Sequence, residues 1–204
     1  MKTFKSLLFI LAAVLTVGSC GNKNNKVEFE QDTTNVADIV QKDNTIYGVC
    51  GEGTAMNTLM LITDDGDTMT VSTTEANESG QIHGGLTVGD KLAVILKSGT
   101  GNEKVVKSIV NLTTLLGKWV QPNPLDGSDI QGIEIKEGGI ASSINLSTKE
   151  YQSWKMFNGR LVITSQDNDY GDESETVDTF DIVTLGPDSL RMNKGGDSFE
   201  YTRR

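Results

Sequence analysis

From residue 45 onward the chain alternates apolar and polar positions in short runs rich in Thr, Val and Ile. A two-residue period is that of a strand with one buried face. No apolar stretch sustains the 3.6-residue repeat of a helix through three turns. Turn residues interrupt the runs at roughly eight- to twelve-residue spacing, as in sandwiches and barrels. The pattern predicts strands over 46–50, 58–63, 68–73, 91–97 and 105–111. It then predicts strands over 117–121, 130–136, 139–146, 151–157, 160–165, 176–185, 189–193 and 199–203. Asp64-Asp65-Gly66 and Asn158-Gly159 carry hairpin signals, because Asn and Gly tolerate the positive φ that such turns demand. Gly138-Gly139 reads as a third tight turn, and 74–88 as a longer excursion.

The fold class is therefore all-β, in two blocks. The first, 45–112, has five strands with a long excursion after the third, and by topology resembles an OB-type barrel. The second, 113–204, has eight strands with short connections, the order of an up-and-down barrel. Gly117-Lys118-Trp119 resembles the G-x-W that opens the first strand of lipocalins, with 112–116 as the turn that closes the barrel base. Tyr151-Gln152-Ser153-Trp154-Lys155 and Gly159-Arg160-Leu161-Val162-Ile163 resemble strand phrases of the small lipocalin-like domains of bacterial lipoproteins. The resemblance covers 115–204. It implies that Trp119 packs at the base under an arginine from a late strand, for which Arg191 and Arg203 are both candidates.

Lipocalin kinship alone implies a calyx for an apolar ligand. Short strands argue otherwise, since roughly six residues span only about 20 Å. An eight-stranded barrel is just wide enough to be filled by its own side chains. The expectation is a largely packed interior with at most a small apolar pocket, lined from Trp119, Trp154, Met156, Phe180 and Met192.

The N-terminus carries a different signal. Lys2 and Lys5 precede an apolar run from Leu7 to Val17, too short to span a membrane but suited to export. Val17-Gly18-Ser19-Cys20 resembles the lipobox of bacterial lipoproteins. The resemblance implies a signal peptide over 1–19, cleavage before Cys20, and lipidation of Cys20 on its thiol and new amine. Residues 20–44, rich in Asn, Lys, Asp, Gln and Thr, then form a tether, with a short helix over 35–40. The expected address is the cell envelope, on the outer membrane facing the periplasm or the cell surface. The membrane is a partner through the lipid.

Composition narrows the function. Asp and Glu number 28 against 18 Lys and Arg, a net charge of −10. Nucleic acid is not an expected partner, because phosphate neutralisation needs a cationic surplus. Tyr47 is also the sole aromatic within 45–112, whereas OB domains that take single strands stack bases on several. With Cys20 lipidated, Cys50 has no partner for a disulfide and reads as a small buried apolar residue. His83 is the single histidine and lies in a loop-like stretch without a nucleophile motif, so no catalytic residue, metal or cofactor is expected. Asp167, Asp169 and Asp178 partly match calcium-loop spacing, but Gly171 falls one place early, and a solvated acidic hairpin is expected instead. The expectation is a lipid-anchored envelope protein that acts as a binding or interaction module, for a small apolar ligand or an envelope protein. The alternatives are an envelope hydrolase using carboxylates and a purely structural scaffold.

Overall fold

The computed structural model describes residues 42–204, apart from 100, 102, 124–126, 128, 170 and 171. The expected signal peptide, Cys20, the tether up to residue 41 and the helix over 35–40 lie outside the described residues.

The first block contains β1 (Ile46–Cys50), β2 (Thr58–Thr63), β3 (Thr68–Ser72), α1 (Thr74–Glu78), β4 (Ile82–His83), β5 (Lys91–Leu96) and β6 (Val106–Asn111). They form a six-stranded sheet in the order β3-β2-β1-β5-β6-β4. The sequence predicts five strands here. The sixth, β4, has two residues and pairs parallel to β6, so it is too short to generate a readable period. An isolated parallel bridge from Ser72 to Val105 ties the end of β3 to the start of β6 and curls the sheet. Its concave face buries Leu59, Leu61, Val71, Leu92, Val106 and Ile109. Cys50 is buried in the same cluster, with its Sγ 3.4 Å from Thr54 Oγ1.

β6 runs into a one-turn helix, α2 (Leu112–Leu115), and then directly into β7 (Gly117–Pro122). Asn111 caps α2 by accepting the Thr114 N–H at 2.9 Å. The barrel continues through β8 (Ile130–Lys136), a 3-10 turn (Glu137–Gly139) and β9 (Ile140–Ile144). β10 (Lys149–Phe157), β11 (Arg160–Asp169), β12 (Asp172–Leu185), β13 (Ser189–Lys194) and β14 (Asp197–Arg203) complete it. Among the described residues these strands close in the order β10-β11-β12-β13-β14-β7-β8-β9. Each strand pairs antiparallel with its neighbour in sequence, and β14 returns to β7 through Thr202–Val120 and Arg203–Trp119. At Asn158-Gly159 both residues adopt positive φ, 50° and 79°, as a tight two-residue hairpin requires.

The two blocks share one core. Ala93 and Val110 of the sheet join Leu112, Leu115 and the barrel interior in a single apolar cluster. The sheet covers the barrel base. Tyr47 donates its hydroxyl to Met156 O at 2.9 Å, and Gly84 N–H bonds Leu185 O at 3.0 Å. At the same end Asn44 N–H donates to Asn158 Oδ1 at 2.9 Å.

Candidate functional site

Four of the five residues expected to line a pocket meet inside the barrel. Trp119, Met156, Phe180 and Met192 all belong to the shared cluster, and Trp119 is fully buried. Ile133, Ile135, Leu161, Ile163, Leu190 and Tyr201 fill the space around them. The interior is therefore a packed core rather than an open calyx, because large inward side chains from neighbouring strands leave little volume.

The base is locked by the G-x-W. Trp119 Nε1 donates to Leu115 O at 2.7 Å, so α2 is hydrogen-bonded to the barrel from inside. The Arg203 guanidinium lies over the indole, with its Cζ 4.2 Å from the ring centroid. It donates to Leu116 O at 2.7 Å and also to Thr114 O and Pro187 O. Of the two arginine candidates, Arg203 takes the role. Arg191 lies on the surface in a 3.8 Å ion pair with Glu200. Gly117 has φ 137°, a backbone conformation that favours glycine, and a Cβ there would push aside the end of the Arg203 side chain.

The opposite end of the interior is polar. Leu161, Ile163 and Ser165 on β11 stand directly opposite Phe180, Asp178 and Thr176 on β12, so all six share the inner face. Ser165 is fully buried and its hydroxyl lies 2.9 Å from that of Thr176. Asp178 accepts from Lys149 at 2.9 Å and also from Lys194, which draws β10, β12 and β13 together. Burial pushes the Asp178 carboxyl up, but hydrogen bonds from Lys194 and Lys149, and their charges, outweigh it and hold the group below its ordinary value. Burial pushes the Tyr151 and Tyr201 phenols up, so both stay protonated at neutral pH. This ion-pair cluster closes the end that a calyx would open. It also occupies Asp178, one of the three spacing-matched carboxylates. Residues 170 and 171 of the acidic hairpin lie outside the described residues. Among the described residues no group of three or more His, Cys, Asp or Glu side chains is placed to hold a metal ion.

Trp154 departs from its expected place. It packs against the edge of the core and is only partly buried. Its Nε1 donates to Lys136 O at 2.7 Å. The indole faces a groove of about 420 Å³ where the two blocks meet, with Leu112, Thr113, Leu116, Lys91 and Glu137 on the other walls. No sign of this groove is visible in the sequence, because its walls come from four separate stretches. His83 also differs from the loop-like expectation. It lies in β4 and is 7% exposed.

Comparison with known proteins bears on the second block. Residues 111–204 match a family model described as Lipocalin-like. A solved lipocalin-like protein from Bacteroides thetaiotaomicron is 39% identical over 44% of this chain and 96% of its own, with a TM-score of 0.41. No curated protein matches the chain.

Proposed function

We propose, from a chain whose residues 111–204 make up a lipocalin-like domain, that the protein is a lipid-anchored binding module of the bacterial cell envelope. Val17-Gly18-Ser19-Cys20 supports the anchor. On this reading Cys20 carries the lipid, residues 20–44 are the tether, and the bound species is a small apolar ligand. One observation carries the choice of site. The barrel interior is filled, whereas the Trp154 groove of about 420 Å³ is apolar along Leu112 and Leu116 and open to solvent. A groove of that size suits a small ligand with a few polar anchors. The curled N-terminal sheet reads best as an OB-type unit, an assignment supported by the order β3-β2-β1-β5-β6 and the parallel Ser72–Val105 bridge. In this arrangement it serves the barrel as a cover and as one wall of the groove, and it reads no nucleic acid.

The test uses native mass spectrometry of the protein extracted in mild detergent, followed by tryptophan emission. Trp119 is buried, so an apolar ligand should change emission through Trp154, and Trp154→Phe should remove the response. No co-purified ligand and no emission response to apolar probes would replace binding with a scaffold role. The anchor is tested separately with Cys20→Ser, which should leave the membrane fraction or remain unprocessed. Unchanged fractionation and unchanged mass would refute lipidation.

A further inference from the structure

A second cleft, of about 430 Å³, lies where the sheet meets the barrel base and has different walls from the Trp154 groove. β6 supplies Lys107 and Ser108, and Gln81 and His83 come from β4 and the residue before it. The barrel supplies Arg160 and Asp181. His83 is 7% exposed, yet among the described residues neither ring nitrogen has a hydrogen-bond partner. The ring nitrogens are not sealed from solvent, so the imidazole is free to bond a solute that enters the cleft. Burial pushes the imidazole down, which keeps it neutral with one donor and one acceptor. The Ser108 hydroxyl, the Gln81 amide and the Lys107 ammonium are likewise without side-chain partners among the described residues. Across the cleft, Arg160 forks onto Asp181 through Nε at 2.7 Å and Nη2 at 3.1 Å. That pair is self-compensating and leaves Lys107, which also borders Glu75 and Glu78 of α1, as the further charge on the cleft walls. A chain of net charge −10 thus carries a locally cationic cleft rich in unused donors.

We propose that this cleft binds a small monocarboxylate, with Lys107 and Ser108 meeting the carboxylate and His83 and Gln81 meeting the polar remainder of the molecule. Monovalency follows from the charges. The cleft walls carry one ammonium beyond the Arg160–Asp181 pair, and the carboxylates of Asp181, Glu75 and Glu78 around it would repel a dianion such as phosphate more strongly than a monoanion. The volume suits a compact solute rather than a polymer. The site is independent of the apolar groove and of the function proposed for it.

The single histidine makes the test direct, because the His83 imidazole signals are unique in a carbon–proton NMR spectrum. The purified full-length protein is titrated with lactate and acetate, and in parallel with sodium chloride and phosphate at matched ionic strength. The expected result is a saturable displacement of the His83 signal by lactate or acetate and none by chloride. Lys107→Met should weaken that binding about tenfold, the loss of one charge-assisted hydrogen bond. Lys104→Met, on the same segment but outside the cleft, should leave it unchanged. Parent-like His83 signals in the ligand-free variants show that both fold. No displacement, equal displacement by chloride, or full affinity in Lys107→Met would overturn the site. Stronger displacement by phosphate would overturn the carboxylate assignment.

Discussion

Arg203 offers the sharpest test of how the barrel base is held. Arg203→Met deletes the guanidinium that stacks on Trp119 at 4.2 Å and leaves Leu116 O and Thr114 O without their donor. The stacking contributes about 1 kcal/mol at a partly desolvated site. The two part-buried carbonyls add about 1 kcal/mol each, while Pro187 O is exposed and can turn to water. The expected loss is therefore about 3 kcal/mol. Arg203→Lys keeps the charge but cannot reach several carbonyls with a planar fork, so it should lose about 2 kcal/mol. Both values come from equilibrium urea unfolding followed by fluorescence, compared at a common m-value. A double-mutant cycle with Trp119→Phe should return a coupling of about 0.5–1 kcal/mol for the stacked pair. If Arg203→Met unfolds within about 0.5 kcal/mol of the parent, or Arg203→Lys matches the parent, the lock is not a stabilising element.

Three further outcomes follow from the same geometry. Trp119→Ala should cost about 4 kcal/mol and Trp154→Ala about 2 kcal/mol, because the first empties a packed site and the second a partly exposed one; equal losses in urea unfolding would contradict the placement of Trp154 at the rim. Asp178 has a folded-state value below its unfolded one of about 3.9, so its contribution is complete above about pH 4 and is lost as pH falls through the folded value. Asp178→Asn and the parent should accordingly differ most in urea midpoint near neutrality and converge in acid, and a gap that stays constant down to about pH 3 would exclude the ion-pair cluster as its source. Because sheet and barrel share Ala93, Val110 and Leu112 in one core, the intact chain should melt in a single calorimetric transition; separate fragments 44–112 and 115–204 with the same midpoints as the whole would refute the shared core.

Local order was readable in the sequence wherever its cause is local. Strands β1, β2 and β8 fall on the predicted residues, and the Asn158-Gly159 turn is a chemical instruction two residues long. Trp119 at the base was legible because a short motif specifies it. Several features were hidden because their causes lie far apart in the chain. β11 and β12 run on through 166–169 and 172–175, an acidic stretch expected to be loop, because backbone pairing from Gln166–Glu175 to Asp169–Asp172 extends the ladder where side-chain hydropathy gives no strand signal. The register shift between Tyr151 and Ser153 on β10 interrupts the simple two-residue count ahead of Trp154. The choice between Arg191 and Arg203 needed the β14–β7 pairing, which no window of sequence contains. The His83 cleft is assembled from β4, β6, β11 and β12, so none of its residues stands out by itself.

The β14–β7 seam has a kinetic meaning. The last strand closes the barrel on its first, so the pairing of Arg203 with Trp119 spans the whole domain in sequence. Such distant contacts are entropically costly to form and slow the folding of β proteins. While the C-terminal residues are absent, β7 and β13 are unpaired edges, and the Arg203 clamp over α2 does not exist. Acquisition of the native barrel is therefore deferred until the end of the chain is available. For a polypeptide that crosses a membrane in extended form, as the proposed export route requires, late closure would keep the barrel from forming on the wrong side. Stopped-flow refolding should show the slow, closure-limited phase directly, and a variant truncated before β14 should fail to produce it.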